Sequence, residues 1–142
     1  MKLYGCINYL LTITQHEVFV KFNTELAAYN LTPGQYGVLN CIWSSETGTI
    51  TPSEISQILR LENSTISGIL DKMEKAGFIN RLLDPGNRRN ILVQATKKSL
   101  DIQTNILNLI EDLNDDVLKS FSKKERAELI ALLSKLGQIP QD

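Results

Sequence analysis

Four short polar side chains, Asn63, Ser64, Thr65 and Ser67, open a segment whose apolar residues Ile66, Ile69, Leu70 and Met73 share one side of a helix. Amide and hydroxyl groups at the N-terminal end of a helix are suited to hydrogen bonding with base edges and phosphates. Gly68, among them, carries no side chain to block close approach, and Lys72 and Lys75 lie further along. Ser64 and Thr65 are also residue types that cap helices without any other role. Downstream, Asp84-Pro85-Gly86-Asn87 is a strong turn signal, with Pro suited to its second position and Gly to its third. Arg88 and Arg89 follow the turn directly and Arg81 precedes it. Guanidinium groups at the tip of a hairpin can enter a minor groove or hold a phosphate. The alternative for one of the two tip arginines is a pair with Asp84 that holds the turn.

Charge is distributed to match. Between Arg60 and Lys98 the basic residues Arg60, Lys72, Lys75, Arg81, Arg88, Arg89, Lys97 and Lys98 outnumber the acidic Glu62, Asp71, Glu74 and Asp84 by four, although the whole chain carries a net charge of -1. A basic middle between acidic ends points to one face that meets phosphate. The two cysteines, Cys6 and Cys41, match no metal-ligand spacing, and the one histidine, His16, leaves little for acid/base catalysis. No Gly-rich phosphate loop, nucleophile elbow or paired metal ligands occur, so the sequence predicts no enzyme, no metal and no cofactor. No run reaches the roughly 18 apolar residues of a membrane span, and the N-terminus has no signal-peptide pattern. A soluble, cytoplasmic protein is expected.

The elements that must position these groups follow from periodicity and punctuation. Tyr4 to Tyr29 reads as one long helix with Ile7, Leu10, Leu11, Thr14, Val18, Phe22 and Leu26 on a broad stripe. Thr32-Pro33-Gly34-Gln35 and Thr51-Pro52-Ser53-Glu54 are two capping boxes with Pro at the first helical position. The first opens a largely buried helix through Tyr36, Val38, Leu39, Ile42 and Trp43. The second opens a short one that turns Ile55, Ile58 and Leu59 inward and stops around Arg60. Asn63 is the expected N-cap of the next helix, which Gly77 ends. A short helix, a tight turn and a longer helix make a helix-turn-helix. Phe78 to Leu83 and Arg88 to Ala95 are β-rich runs around the turn, a hairpin placed as a wing. Thr96 is expected to cap a helix to about Ser120, and Ser122-Lys123-Lys124-Glu125 opens a last helix before a loose tail from Ile139 to Asp142. The expected fold is mainly α with a small β-hairpin wing. Residues 31–96 form the winged helix-turn-helix lobe, while 1–30 and 97–142 form a helical dimerisation region, in one structural unit.

The order and spacing of these motifs resemble the MarR family of bacterial regulators. The resemblance rests on Leu31-Thr32-Pro33-Gly34-Gln35-Tyr36, Glu54-Ile55-Ser56, Ser64-Thr65-Ile66-Ser67, Asp71 to Ile79, and Asp84 to Arg89. It implies a homodimer whose terminal helices interlock, with recognition helices ~34 Å apart on double-stranded DNA. It further implies a repressor released when a small molecule, often aromatic and anionic, lodges between the dimer helices and the lobe. Tyr9, His16, Tyr36 and Trp43 are the polar-capable candidates for that pocket, each of which has an alternative role in the core or at the surface. Three departures from the family pattern stand out. Asn87 replaces a usual acidic residue, Gly68 replaces a larger one, and Thr96-Lys97-Lys98-Ser99 lacks the usual glycine. Two other readings compete: a winged module that binds protein rather than DNA, and a redox sensor using Cys6. For the latter, alignment from Leu31 places the family's reactive position nearer Asn8, and no nearby basic residue would lower the Cys6 thiol pKa.

Overall fold

A computed structural model of the chain describes residues 2–141, apart from the side chain of Arg88. Within them, six helices and three short strands follow in the order α1 (Ile7–Leu26), α2 (Pro33–Trp43), β1 (Thr49–Ile50), α3 (Pro52–Leu59), α4 (Asn63–Lys75), β2 (Ile79–Asp84), β3 (Asn87–Ala95), α5 (Lys97–Val117) and α6 (Lys123–Gly137). Single 3-10 turns at Leu3–Gly5 and Ala27–Tyr29 flank α1, so the long helix expected from Tyr4 to Tyr29 is shorter at both ends.

The helix starts are where the sequence puts them. Thr32, Thr51 and Ser122 each accept a hydrogen bond from the backbone N–H three residues on, while Gln35, Glu54 and Glu125 reach back, which completes three capping boxes. Thr96 caps α5 through Ser99. One expected cap is misplaced: Glu62 occupies the N-cap of α4, and Asn63 is the first helical residue. The end of α4 is fixed by Gly77 at φ 82°, where Gly77 N–H donates to Glu74 O and Phe78 N–H to Met73 O. This pair of bonds requires a left-handed residue, which glycine supplies without strain.

The core lies inside the lobe. Val38, Leu39 and Ile42 of α2, Ile55 of α3, Ile66, Leu70 and Met73 of α4, and Phe78, Ile79 and Val93 of the sheet are buried together, joined by Leu26 of α1 and Ile106 of α5. Each such side chain contributes ~1.5–3 kcal/mol on leaving water. Ile58 departs from expectation: it is exposed, and only Ile55 of α3 is fully inward.

The strands form a three-stranded antiparallel sheet in the order β1-β3-β2, with Ile50 opposite Val93 and Arg81 opposite Val93 on the other side. Strand β1 is only two residues long, too few for the sequence to show alternation. The turn at the wing tip also differs in detail. Gly86 is not left-handed, and Asp84 Oδ1 accepts from Gly86 N–H instead. The carboxylate therefore helps to close the turn. The tail expected to be loose is ordered as far as Gln141: Ile139 N–H donates to Ser134 O, and Gln141 Nε2 donates to Ser134 Oγ.

Because Thr51 Oγ1 holds Glu54 N–H at 3.1 Å at the entry of the helix-turn-helix, Thr51→Ala should destabilise the protein by about 1 kcal/mol. Thr51→Ser should restore most of that loss. Urea denaturation of the two variants beside the parent checks both values.

Candidate nucleic-acid interface

Helix α4 divides cleanly. Ile66, Leu70 and Met73 are buried, whereas Asn63, Ser64, Thr65, Ser67, Gly68, Asp71, Lys72 and Lys75 are exposed. None of the short polar residues serves as a cap. A methyl group built at Gly68 would meet nothing within 4 Å, so this position faces open space. Asn63 and Ser67 border an open cavity of about 400 Å³ together with Pro52, Ser53, Arg81 and Ile91, which lies between α3, α4 and the wing.

The basic residues counted in the sequence divide into two groups. Arg81, expected to reach phosphate, turns onto α4. Its guanidinium lies 2.8 Å from Asp71 Oδ1 and 3.9 Å from Glu74 Oε1, and it donates to Ser67 O at 3.4 Å. It thus ties strand β2 to the back of the polar face and fixes where the wing stands. Lys98 donates to Ala76 O at 2.8 Å and sits 4.5 Å above the Phe78 ring, which fastens the start of α5 to the end of α4. Lys97 pairs with Asp101, whose hydrogen bond and charge raise the lysine pKa. Arg60 donates to two carbonyls at the end of α6. Lys72, Lys75 and Arg89 form no ion pair among the described residues. Arg88, also expected at the wing tip, has its side chain outside the described residues. Arg89 is exposed, and Asn87 Oδ1 accepts from its backbone N–H. Asp84 Oδ1 accepts from Gly86 N–H, and among the described side chains Asp84 pairs with neither Arg81 nor Arg89.

The candidate pocket residues are dispersed. Tyr9 stacks edge-on against Tyr4 with ring centroids 6.1 Å apart, and His16 is exposed on α1. Tyr36 Oη accepts from Asn40 Nδ2 at 3.1 Å, and burial raises its pKa more than this bond lowers it. Trp43 lines a cavity of about 300 Å³ at the base of the wing, and its buried Nε1 has no hydrogen-bond partner among the described residues. A different cleft, of about 370 Å³, opens between α1, Pro33 and Leu133. Its lining includes Leu11, Thr14, Val18 and Phe22, and none of the four candidates. The sequence signal for it was present in the α1 stripe, read there only as a packing face.

Cys41 is buried, and burial pushes its thiol up from the ordinary value. Cys6 occupies the N-cap of α1 and is half-buried. Among the described residues no group of His, Cys, Asp and Glu could hold a metal ion. No described helix is long and apolar enough to cross a membrane.

A helix-turn-helix with an exposed polar second helix, followed at once by an antiparallel wing, defines a winged helix-turn-helix protein. Residues 31–91 match the model of the MarR family. The multiple antibiotic resistance protein MarR of Salmonella typhimurium is 30% identical over 115 residues, which cover 80% of this chain and 78% of that protein. The organic hydroperoxide resistance transcriptional regulator of Bacillus subtilis is 28% identical over 97% of this chain and 94% of its own length. Among solved structures, a point mutant of Escherichia coli MarR in complex with operator DNA superposes with a TM-score of 0.84 at 26% identity, covering 94% of each chain. The chain belongs to the MarR family.

Two outcomes follow from this geometry. Since Gly68 is helical and faces open space, Gly68→Ala should raise stability by about 0.8–1 kcal/mol, as read by chemical denaturation. Cys41, protonated at neutral pH by its raised pKa and shielded by the core, should resist iodoacetamide in the folded protein. It should react at the rate of an ordinary thiol only after unfolding. Rapid labelling of native Cys41 would contradict the burial.

Proposed function

We propose that this chain is a double-stranded-DNA-binding transcription regulator that acts as a homodimer on a pseudo-palindromic site. It is a regulator of the MarR family and not an enzyme. The observation that carries the DNA reading is the exposed front of α4, where Asn63, Ser64, Thr65, Ser67 and Gly68 stand uncapped beside Lys72, with Arg89 on the adjoining wing. Base edges in a major groove need such hydrogen-bonding groups at the end of a helix, and phosphates need the cations beside them. Lys75 serves phosphate as well, and Arg88 is assigned to the wing tip with Arg89. Arg81 belongs to the support of this surface through its pair with Asp71.

The homodimer reading is supported by apolar surface that the chain leaves uncovered. Ile7, Leu10, Leu11, Phe19 and Val20 of α1 and Ile130, Leu132, Leu133 and Leu136 of α6 are all exposed. A second copy of the same helices would bury them, which supports reading 1–30 and 97–142 as the dimerisation region and 31–96 as the DNA-binding lobe. We place the protein in the cytoplasm and take it to repress until a small effector, aromatic or anionic, is bound. The apolar cleft between α1, Pro33 and Leu133 is a site for the hydrocarbon part of such a molecule, since it joins the dimerisation helices to the lobe. An effector there would favour a lobe spacing that does not fit DNA.

Binding of the purified protein to a duplex from its own upstream region, beside a scrambled duplex and across a salt series, tests this reading. The native duplex should be preferred, and affinity should fall steeply with salt. Lys72→Ala and Arg89→Ala should each lower the salt slope by about one. Arg81→Ala should disturb the wing with no comparable loss of slope. Absence of binding to either duplex at low salt would sink the DNA reading.

A further inference from the structure

Two helix ends meet where α3 and α6 stop, and both carry an unusual backbone. Arg60, just beyond α3, has φ 54° and ψ 43°, while Gln138, just beyond α6, has φ 51° and ψ 44°. Left-handed positions of this kind favour glycine, which adopts them without steric cost. Around each residue the chain closes the same cap: Leu61 N–H donates to Ser56 O, and Ile139 N–H to Ser134 O. Ser56 Oγ also donates to Leu61 O at 2.6 Å, which fixes the turn on the far side of Arg60.

The side chain of Arg60 spans the gap between the two caps. Its guanidinium donates to Gly137 O at 2.6 Å and to Gln138 O at 2.8 Å. Those carbonyls stand at the negative end of the α6 dipole and have no partner within the helix, so a cation that donates to both is well suited to them. Two parallel N–H bonds from a planar fork also fix direction, which a single contact would not. Ile139 and Pro140 face Ile58 and Leu59 across an open cavity of about 640 Å³, so the segment beyond α6 runs beside the end of α3. Ile58, expected to face the core, is directed to this site instead. Arg60 is two residues from Glu62, the N-cap of α4. Any displacement of the clamp is therefore passed to the start of the recognition helix through a very short turn.

We infer that Arg60 is a positioning residue. By clamping the end of α6 to the turn of the helix-turn-helix, it sets the tilt of the winged lobe on the terminal helices, and hence the separation of the two recognition helices in the dimer. The inference rests on the homodimer reading above. It assigns Arg60 to a contact within the protein and removes it from the basic residues available to phosphate.

Arg60→Gly gives the discriminating variant, because glycine suits the left-handed backbone and should leave the lobe folded while the guanidinium is lost. Arg60→Lys restores a cation that can reach the same carbonyls, without the fork. Full-length protein with Cys6→Ser and Cys41→Ala would carry one spin label per subunit at Asn90→Cys, an exposed wing position. The parent should show a single narrow inter-subunit distance, Arg60→Gly a broadened or displaced one, and Arg60→Lys partial recovery. By hydrogen exchange, the Ile139 amide should open about tenfold faster in Arg60→Gly than in the parent, while the buried amides of α4 are unchanged. Unchanged exchange at Ile139 would remove the clamp. Faster exchange with an unaltered distance distribution would make Arg60 a helix-end contact and overturn its positioning role. No inter-subunit distance in the parent would defeat the homodimer reading, and with it the dimer spacing inferred here.

Discussion

Burial of one face of α4 is the constraint on which the rest of the lobe depends. Ile66, Leu70 and Met73 are each within one per cent of full burial, packed with Leu39 and Ile42 of α2 and Ile55 of α3. Because helical side chains repeat every 3.6 residues, fixing these three inward fixes Ser64, Thr65, Ser67 and Gly68 outward. The polar front therefore needs no support from its own hydrogen bonds. It is presented by the apolar back of the same helix, and its rotation about the helix axis is set by core packing that tolerates little slippage. Gly77 then ends the helix, and the Phe78 N–H bond to Met73 O turns the chain directly into the sheet. The wing is consequently attached to the very residue, Met73, that anchors α4.

Charge within the lobe follows a similar division of labour. A positive excess between Arg60 and Lys98 suggested one face that meets phosphate, yet several of those cations hold the protein together. Arg81 sits between β2 and the acidic pair Asp71 and Glu74, Lys98 joins α5 to the end of α4, and Arg60 joins α3 to α6. Each lies where two elements meet at an angle and exposed carbonyls or carboxylates need a donor. Long cationic side chains suit such joints because their stems pack on apolar surface while their heads hydrogen-bond. The cations left without an ion pair among the described residues, Lys72, Lys75 and Arg89, sit on the C-terminal half of α4 and on the wing.

The sequence made the helices legible because their boundaries are chemical. Three capping boxes, the Thr96 cap and Gly77 identify themselves by residue type and spacing, and the helices begin and end within a few residues of those marks. The polar face of α4 was legible for the same reason, since one periodic apolar set implies its complement. Other features depend on contacts between residues distant in sequence, and no local pattern encodes them. Strand β1 is two residues long and exists only because β3 supplies its partners. Arg60 binds carbonyls 77 and 78 residues away, and Arg81 differs from Arg89 in role only because Asp71 lies beneath it. The exposure of Ile58 was hidden for a related cause: the apolar pattern of a helix only eight residues long is too short to specify which edge faces the core.

The terminal helices raise a different physical question, because their apolar stripes are only partly used within one chain. On α1, Leu26 is buried and Val18 and Phe22 are half-buried, whereas Ile7, Leu10 and Leu11 at the other end stay exposed. Helix α6 buries only Ser134, although it carries four leucines and an isoleucine. A helix with so little contact of its own would gain little from propensity alone, since most helical stability in proteins comes from packing. Its capping box and the Arg126 pair with Asp115 hold its start, and the Arg60 bonds hold its end. The helix is therefore fixed at both ends with its apolar side still open. An element held in this way is oriented before any association through its open side, which would leave less conformational freedom to remove. In the dimer proposed above, such fastening would let the separation of the two lobes be specified by bonds inside each subunit as well as by the interface between them.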